Sequence, residues 1–195
     1  NIAAIAITDH HFIDVKKIKE IQRFSKEKNI TVFPGIEFLS DARGKEPIHF
    51  IGIFSEKSDI DYIWKQIESK TNICKIQRDG KKANEVYCDL IDTAKLIHEL
   101  GGIVTIHAGS KTNTIDNITN ALPHCEAQKN DIAECVDIFE VGKEADVEDY
   151  KKYVIPSLKN DIGKIMPIII CSDNHNINAY GAKQNCWIKA DLTFE

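Results

Sequence analysis

The sequence predicts an α/β fold in which a parallel sheet is covered by helices, and three observations predict it. Short apolar runs alternate along the chain with segments whose apolar residues recur at helical spacing. The runs are apolar throughout instead of alternating with polar residues, as in strands buried on both faces. Run after run also ends in, or carries near its end, a histidine or a carboxylate, and in a parallel barrel the C-terminal strand ends converge on one rim.

The elements follow in order. Ala3 to Ile7 is a first strand, leading into the polar cluster Thr8-Asp9-His10-His11. Asp14 is placed to cap a helix with Val15, Ile18, Ile21 and Phe24 on one face, stopping near Asn29. Ile30 to Phe33 is a second strand, halted by Pro34-Gly35, and Ile48 to Phe54 a third. Ile60, Ile63, Trp64 and Ile67 mark a second helix, and residues 70 to 88 read as a long loop with a turn at Asp79-Gly80. A helix burying Leu90, Ile91, Ala94 and Ile97 ends at Gly101-Gly102, ahead of a strand at Ile103 to Ile106. Residues 108 to 134 read as mixed loop and short helix, and Val136 to Phe139 as a strand. Val147, Tyr150 and Val154 mark a helix that Pro156 is expected to bend or end. Met166 to Cys171 is a strand, and Cys186 to Ile188 a last short one.

Composition bounds the class. The 195 residues suit one domain of the larger single-core kind, with 43% hydrophobic and 28% charged residues as in soluble globular proteins. A net charge of -5 argues against a surface that coats nucleic acid, while leaving room for a local phosphate pocket. None of the six cysteines forms a C-x-x-C pair, which disfavours a zinc ribbon or a thioredoxin-like site. Read as buried free thiols, and with no signal peptide, they predict a reducing, cytoplasmic compartment. The apolar runs fall far short of the roughly 20 residues of a membrane helix. The chain opens directly on a strand and ends at Phe194-Glu195 without a turn or cap, so both ends are expected to be cut from something longer.

The chemistry lies in the strand ends. The first offers Asp9 and His10, the second Glu37, the third His49, the fourth His107, the fifth Glu140, the sixth Asp173 with His175. Imidazole nitrogens and carboxylate oxygens suit zinc, manganese or iron. Taken singly each is weak: His49 would more often be a satisfied core histidine, Glu37 a cap or an ion-pair partner. His98, near a helix end, has only the bland reading. The joint placement is what points to a metal centre.

In order, Thr8-Asp9-His10, Pro34-Gly35-Ile36-Glu37, His49 in I-H-F-I-G-I, His107 in G-G-I-V-T-I-H and Ser172-Asp173-Asn174-His175 resemble the motif series of the PHP (polymerase and histidinol phosphatase) superfamily. The resemblance covers nearly the whole chain. It implies a distorted (β/α)7 barrel holding up to three divalent metals, with His10, Glu37, His49, His107, Asp173 and His175 as ligands. The family's opening H-x-H strand is missing before Asn1, and truncation is the simplest account. The resemblance also divides the ligands: Glu37, His49 and His107 at one metal position, His10 and His175 at another, Asp173 with the shared Glu37 at the third. The tail from His175-Asn176 through Tyr180-Gly181 and Cys186-Trp187 to Glu195 resembles TrlF-type proteins, where a PHP domain precedes an AAA-like or SMC-like ATPase. No Walker A loop occurs in this chain.

The expected function is metal-dependent phosphoesterase. A hydroxide bridging the metals attacks phosphorus in a nucleotide, a nucleic-acid end or a small monoester. Lys111 and Lys143, just beyond strand ends, are candidates for phosphate contact, and His11 and Glu140 for proton transfer; Glu140 could instead orient a ligand. The alternative is a non-catalytic structural or regulatory module of a larger ATPase or nucleic-acid-processing protein. An amidohydrolase ranks last, since no convincing strand-borne lysine offers a bridging group.

Overall fold

A computed structural model describes residues 3–41, 46–118, 123–171 and 193–194. They fall into two compact units: residues 3–41, 49–104 and 193–194 form one, residues 46–48, 105–118 and 123–171 the other. Both mix strands and helices, so the α/β class is observed.

In the first unit, strand β1 (Ala4–Ile7) pairs in parallel with β2 (Thr31–Leu39), in the register Ala4↔Thr31 to Ile7↔Pro34. β2 then pairs antiparallel with β3 (His49–Ile53), from Gly35↔Ile53 to Leu39↔His49. An all-parallel sheet was the expectation. The segment between Leu39 and His49 is shorter than the dozen or so residues a covered parallel crossover needs, so the strand returns antiparallel.

Pro34-Gly35 does not halt β2. The strand changes partner there, leaving β1 after Pro34 and taking up β3 at Gly35. A proline lacks a ladder donor, and the partner change is where one can be spared. The Pro34 carbonyl still accepts from the Phe54 amide at 2.8 Å. Gly35 is required by close approach: a Cβ there would lie 2.8 Å from the Gly52 carbonyl oxygen and 2.8 Å from Thr8 Cγ2.

Three helices of this unit begin at aspartate caps. Asp14 accepts from the Lys17 amide at the start of α1 (Val15–Lys26), Asp59 from the Tyr62 amide at α2 (Ile60–Lys70), and Asp89 from the Asp92 amide at α4 (Leu90–Glu99). Ile18 of α1 is buried, but Phe24, expected on the same face, is 64% exposed. The loop expected over 70 to 88 contains helix α3 (Cys74–Arg78) and a 3-10 turn at Ala83–Glu85. Buried Ile73, Val86 and Cys88 anchor it, which is why polar composition alone misread it. Phe38 and Phe50, cross-strand partners, stack at 5.0 Å between centroids.

The second unit takes the last three residues of β4 (Ile103–His107) and the parallel strands β5 (Ile138–Val141) and β6 (Ile168–Ile170). Helix α5 (Pro123–Cys135) is longer than the short helix expected there. Helix α6 (Glu144–Asp149) runs through a π-helical turn at Tyr150–Val154 into α7 (Ile155–Ile162). Pro156 therefore does not end the helix. It sits directly after the π turn, where the helix's hydrogen-bond pattern is already irregular. Phe139 of β5 meets Tyr150 edge-on at 5.1 Å. The strand expected at Cys186 to Ile188 lies outside the described residues. No described helix is long and apolar enough to cross a membrane.

Candidate metal centre

Backbone pairing builds the first cluster. Beyond β1 the chain keeps alongside β2: the Glu37 amide donates to the Asp9 carbonyl at 3.1 Å, and the His11 amide donates to the Glu37 carbonyl at 2.8 Å. His10 is thereby held opposite Glu37 as a parallel bridge. On the other side of β2, the register Glu37↔Ile51 and Leu39↔His49 makes Glu37 and His49 diagonal neighbours on one face. The donor atoms of His10, Glu37 and His49 all lie within 4.8 Å of one another. Glu37 Oε1 contacts His49 Nδ1 and lies 3.5 Å from His10 Nε2.

The three differ in burial. The Glu37 side chain is 7% exposed, that of His49 18% and that of His10 45%. A buried carboxylate flanked by two imidazoles, one open to solvent, is a donor set that fits zinc, manganese or iron and leaves an approach for water or substrate.

His11, next in sequence, is buried at 3% exposure with φ of 55°. That left-handed conformation is uncommon for a residue with a side chain and is held by the Glu37 carbonyl contact. Its Nδ1 has no hydrogen-bond partner among the described residues. Burial, then the nearby His10, push its pKa down to about 4, against the pull of Glu37. The imidazole is therefore neutral near pH 7 and keeps a lone pair for a proton or a water.

The second cluster lies in the other unit. His107 and Glu140 are ladder partners in β4 and β5. Lys111 reaches back from the following loop: its Nζ contacts Glu140 Oε1 and lies 3.2 Å from His107 Nε2. Thr105 Oγ1 donates to Glu140 Oε2 at 3.2 Å. Lys111 was expected as a loop lysine open to phosphate, yet its side chain is only 7% exposed. Lys143 is 59% exposed and lies 3.9 Å from Asp146. Asp173 and His175 lie outside the described residues. His98 is exposed in the last turn of α4.

The sequence reading missed the groups that shape the loop after His107. Ser110 donates to Asp146 Oδ2 from its amide at 3.1 Å and its hydroxyl at 2.6 Å. The Gly109 amide and the Tyr150 hydroxyl donate to Asp116 Oδ2 at 2.7 and 2.6 Å. Asp116 and Asp146 stand in no motif and at no strand end, so spacing alone offered no signal for them.

No family model matches the chain, and no curated protein matches it. Among solved structures it is similar to a crystal structure from Bifidobacterium adolescentis, provisionally assigned as a metal-dependent phosphoesterase. The TM-score is 0.55 at 11% identity, covering 93% of this chain and 80% of that one. At that identity the likeness is one of fold: this chain has the α/β fold of that structure.

Proposed function

We propose that this chain is a metal-dependent phosphoesterase unit of the PHP type, its strands belonging to a distorted barrel. The observation that carries the reading is the convergence of the His10, Glu37 and His49 donor atoms within 4.8 Å. The fold it shares with a protein provisionally assigned as a metal-dependent phosphoesterase supports it. The three residues hold a divalent ion, zinc, manganese or iron; Asp173 and His175, ligands by the PHP resemblance, lie outside the described residues. The ion supplies Lewis acidity toward a phosphoryl oxygen and toward water.

The chain's own groups do the rest. Glu37, buried, gives the site a fixed negative charge that draws the cation in. Half-exposed His10 leaves the approach for a phosphate ester open. His11, neutral and buried, is the candidate proton acceptor for the attacking water, through the Nδ1 that has no partner among the described residues. The substrate class is a nucleotide, a nucleic-acid end or a small phosphate monoester, and a C-terminal ATPase region of the TrlF type is the proposed context.

The test is hydrolysis of p-nitrophenyl phosphate and of its bis ester, with metal content measured in parallel. Turnover should appear with manganese or zinc, vanish with a chelator and vanish in Glu37→Gln. Wild-type metal content in Glu37→Gln would overturn the reading.

A further inference from the structure

We infer that the ammonium of Lys111 is a built-in cation at the end of β4 and β5, filling the place between His107 and Glu140 that a divalent ion would otherwise take. The inference rests on the metal-centre reading above and narrows it: His107, expected as a metal ligand, holds a lysine instead.

The tautomer of His107 comes first. Its Nδ1 lies 3.3 Å from the Thr112 carbonyl oxygen. A carbonyl only accepts, so Nδ1 carries the hydrogen and Nε2 keeps the lone pair. That lone pair faces Lys111 Nζ at 3.2 Å. An ammonium only donates, so the one atom His107 could offer a metal is engaged by a proton donor.

Glu140 repeats the pattern. Its Oε1 contacts Lys111 Nζ, and its Oε2 accepts from Thr105 Oγ1 at 3.2 Å. Oε1 also lies 3.7 Å from His107 Nε2, the spacing of two donors around one cation. The cation there is the lysine.

The arrangement is built, not accidental. The side chains of His107, Glu140 and Lys111 are 3%, 5% and 7% exposed, and a charge so buried persists only when paired. The strand register fixes His107 against Glu140. The loop that returns Lys111 is tied down at the two residues before it, by the Gly109 amide on Asp116 and by Ser110 on Asp146. Gly109 adopts φ of 66°, and a Cβ there would meet Asp146 Cγ at 2.8 Å, so the loop takes its path only with glycine. A divalent ion would have to displace the ammonium or sit against it, and like charges at that range repel strongly.

The consequence is a fixed positive charge that needs no metal loading. Zinc content after desalting tests it in wild type, His107→Ala, Lys111→Met and the double variant. Methionine keeps the reach and removes the charge. His107→Ala should leave the zinc content of the wild type unchanged. Lys111→Met should gain one zinc, lost again when His107→Ala is added. Loss of a zinc in His107→Ala alone, or no gain in Lys111→Met, overturns the inference.

Should the variants fail to fold by circular dichroism, reductive methylation of wild-type lysines read by mass spectrometry decides. Lys111 should be equally protected with and without zinc, and labelling that rises on zinc addition overturns the inference. Glu37→Gln separates the two readings, because it empties the His10–Glu37–His49 centre and leaves Lys111 labelling as it was.

Discussion

The Glu37 amide lies 3.1 Å from the Asp9 carbonyl, and the His11 amide answers with a 2.8 Å bond to the Glu37 carbonyl. His10 is thus set against Glu37 by main chain, independent of either side chain. Glu37→Gln should therefore leave the fold intact while removing the carboxylate. Partners that merely orient a ligand are worth about 10- to 100-fold in metal affinity, so loss of a ligand oxygen should cost about 100-fold or more. Calorimetric zinc titration beside a far-ultraviolet spectrum checks both halves. An unfolded variant would show that the side-chain contacts of Glu37 with His10 and His49 hold the strands.

Metal should also stabilise the folded chain. A ligand that binds only the native state at a hundredfold excess over its Kd adds about 2.7 kcal/mol. For a domain of this size that raises Tm by about 5–10 °C. Thermal melts with zinc and with a chelator should show the difference in wild type and not in Glu37→Gln.

Gly35→Ala probes the partner change in β2. The new methyl would face the Gly52 carbonyl and Thr8 Cγ2, both at 2.8 Å, and the first of these is backbone that cannot rotate away. A cost of about 1–3 kcal/mol is expected, as for other overpacked sites. Because Thr8 lies two residues before His10, zinc affinity should fall as well. Urea denaturation and zinc titration of the same variant measure the two effects.

Much of this was legible in the sequence, for reasons that differ by element. The helix start at Asp14 was readable because capping is local chemistry; the same chemistry at Asp59 and Asp89 emerges from the structure. His10, Glu37 and His49 were legible as donors at successive strand ends; that these three approach one another depends on strand register, which spacing along the chain does not carry. Pro34-Gly35 misled because the rule for a strand stop does not foresee a strand that changes partners mid-course. Lys111 misled because loop lysines are usually solvated, and its burial depends on Glu140, far off in sequence.

Acid should loosen the loop after His107 through Asp146. Burial pushes this carboxyl up, but the Ser110 hydroxyl and amide, with Lys143 nearby, outweigh it and hold the carboxyl below its ordinary value. A carboxyl depressed in the folded state contributes stability above its unfolded pKa of about 3.9 and loses it as pH falls through the folded value. The stability gap between wild type and Asp146→Asn should be full near neutrality and shrink below about pH 4. Urea midpoints from pH 7 to pH 3 give the comparison, and a gap that widens on acidification would contradict it.

Tyr150 ties the same loop to the helical layer. Its hydroxyl donates to Asp116 Oδ2 at 2.6 Å, and the Gly109 amide donates to the same oxygen at 2.7 Å. The phenol is buried, and burial followed by the Asp116 charge holds its pKa well above the ordinary value, so it stays a donor. Hydrogen bonds to charged groups contribute about 1.5–3 kcal/mol. Asp116 is exposed and regains water when the phenol is lost, so Tyr150→Phe should cost about 1.5 kcal/mol, at the low end of that range. A double-mutant cycle with Asp116→Ala should recover part of this as coupling, since the Gly109 amide also touches both groups, 2.7 Å from Asp116 Oδ2 and 3.4 Å from the Tyr150 hydroxyl oxygen. Amide exchange at Gly109 supplies the local readout. If the bond fixes the loop, Tyr150→Phe speeds exchange there several-fold while amides in β5 stay protected; uniform acceleration would instead mean that the substitution lowers global stability through the Phe139–Tyr150 contact.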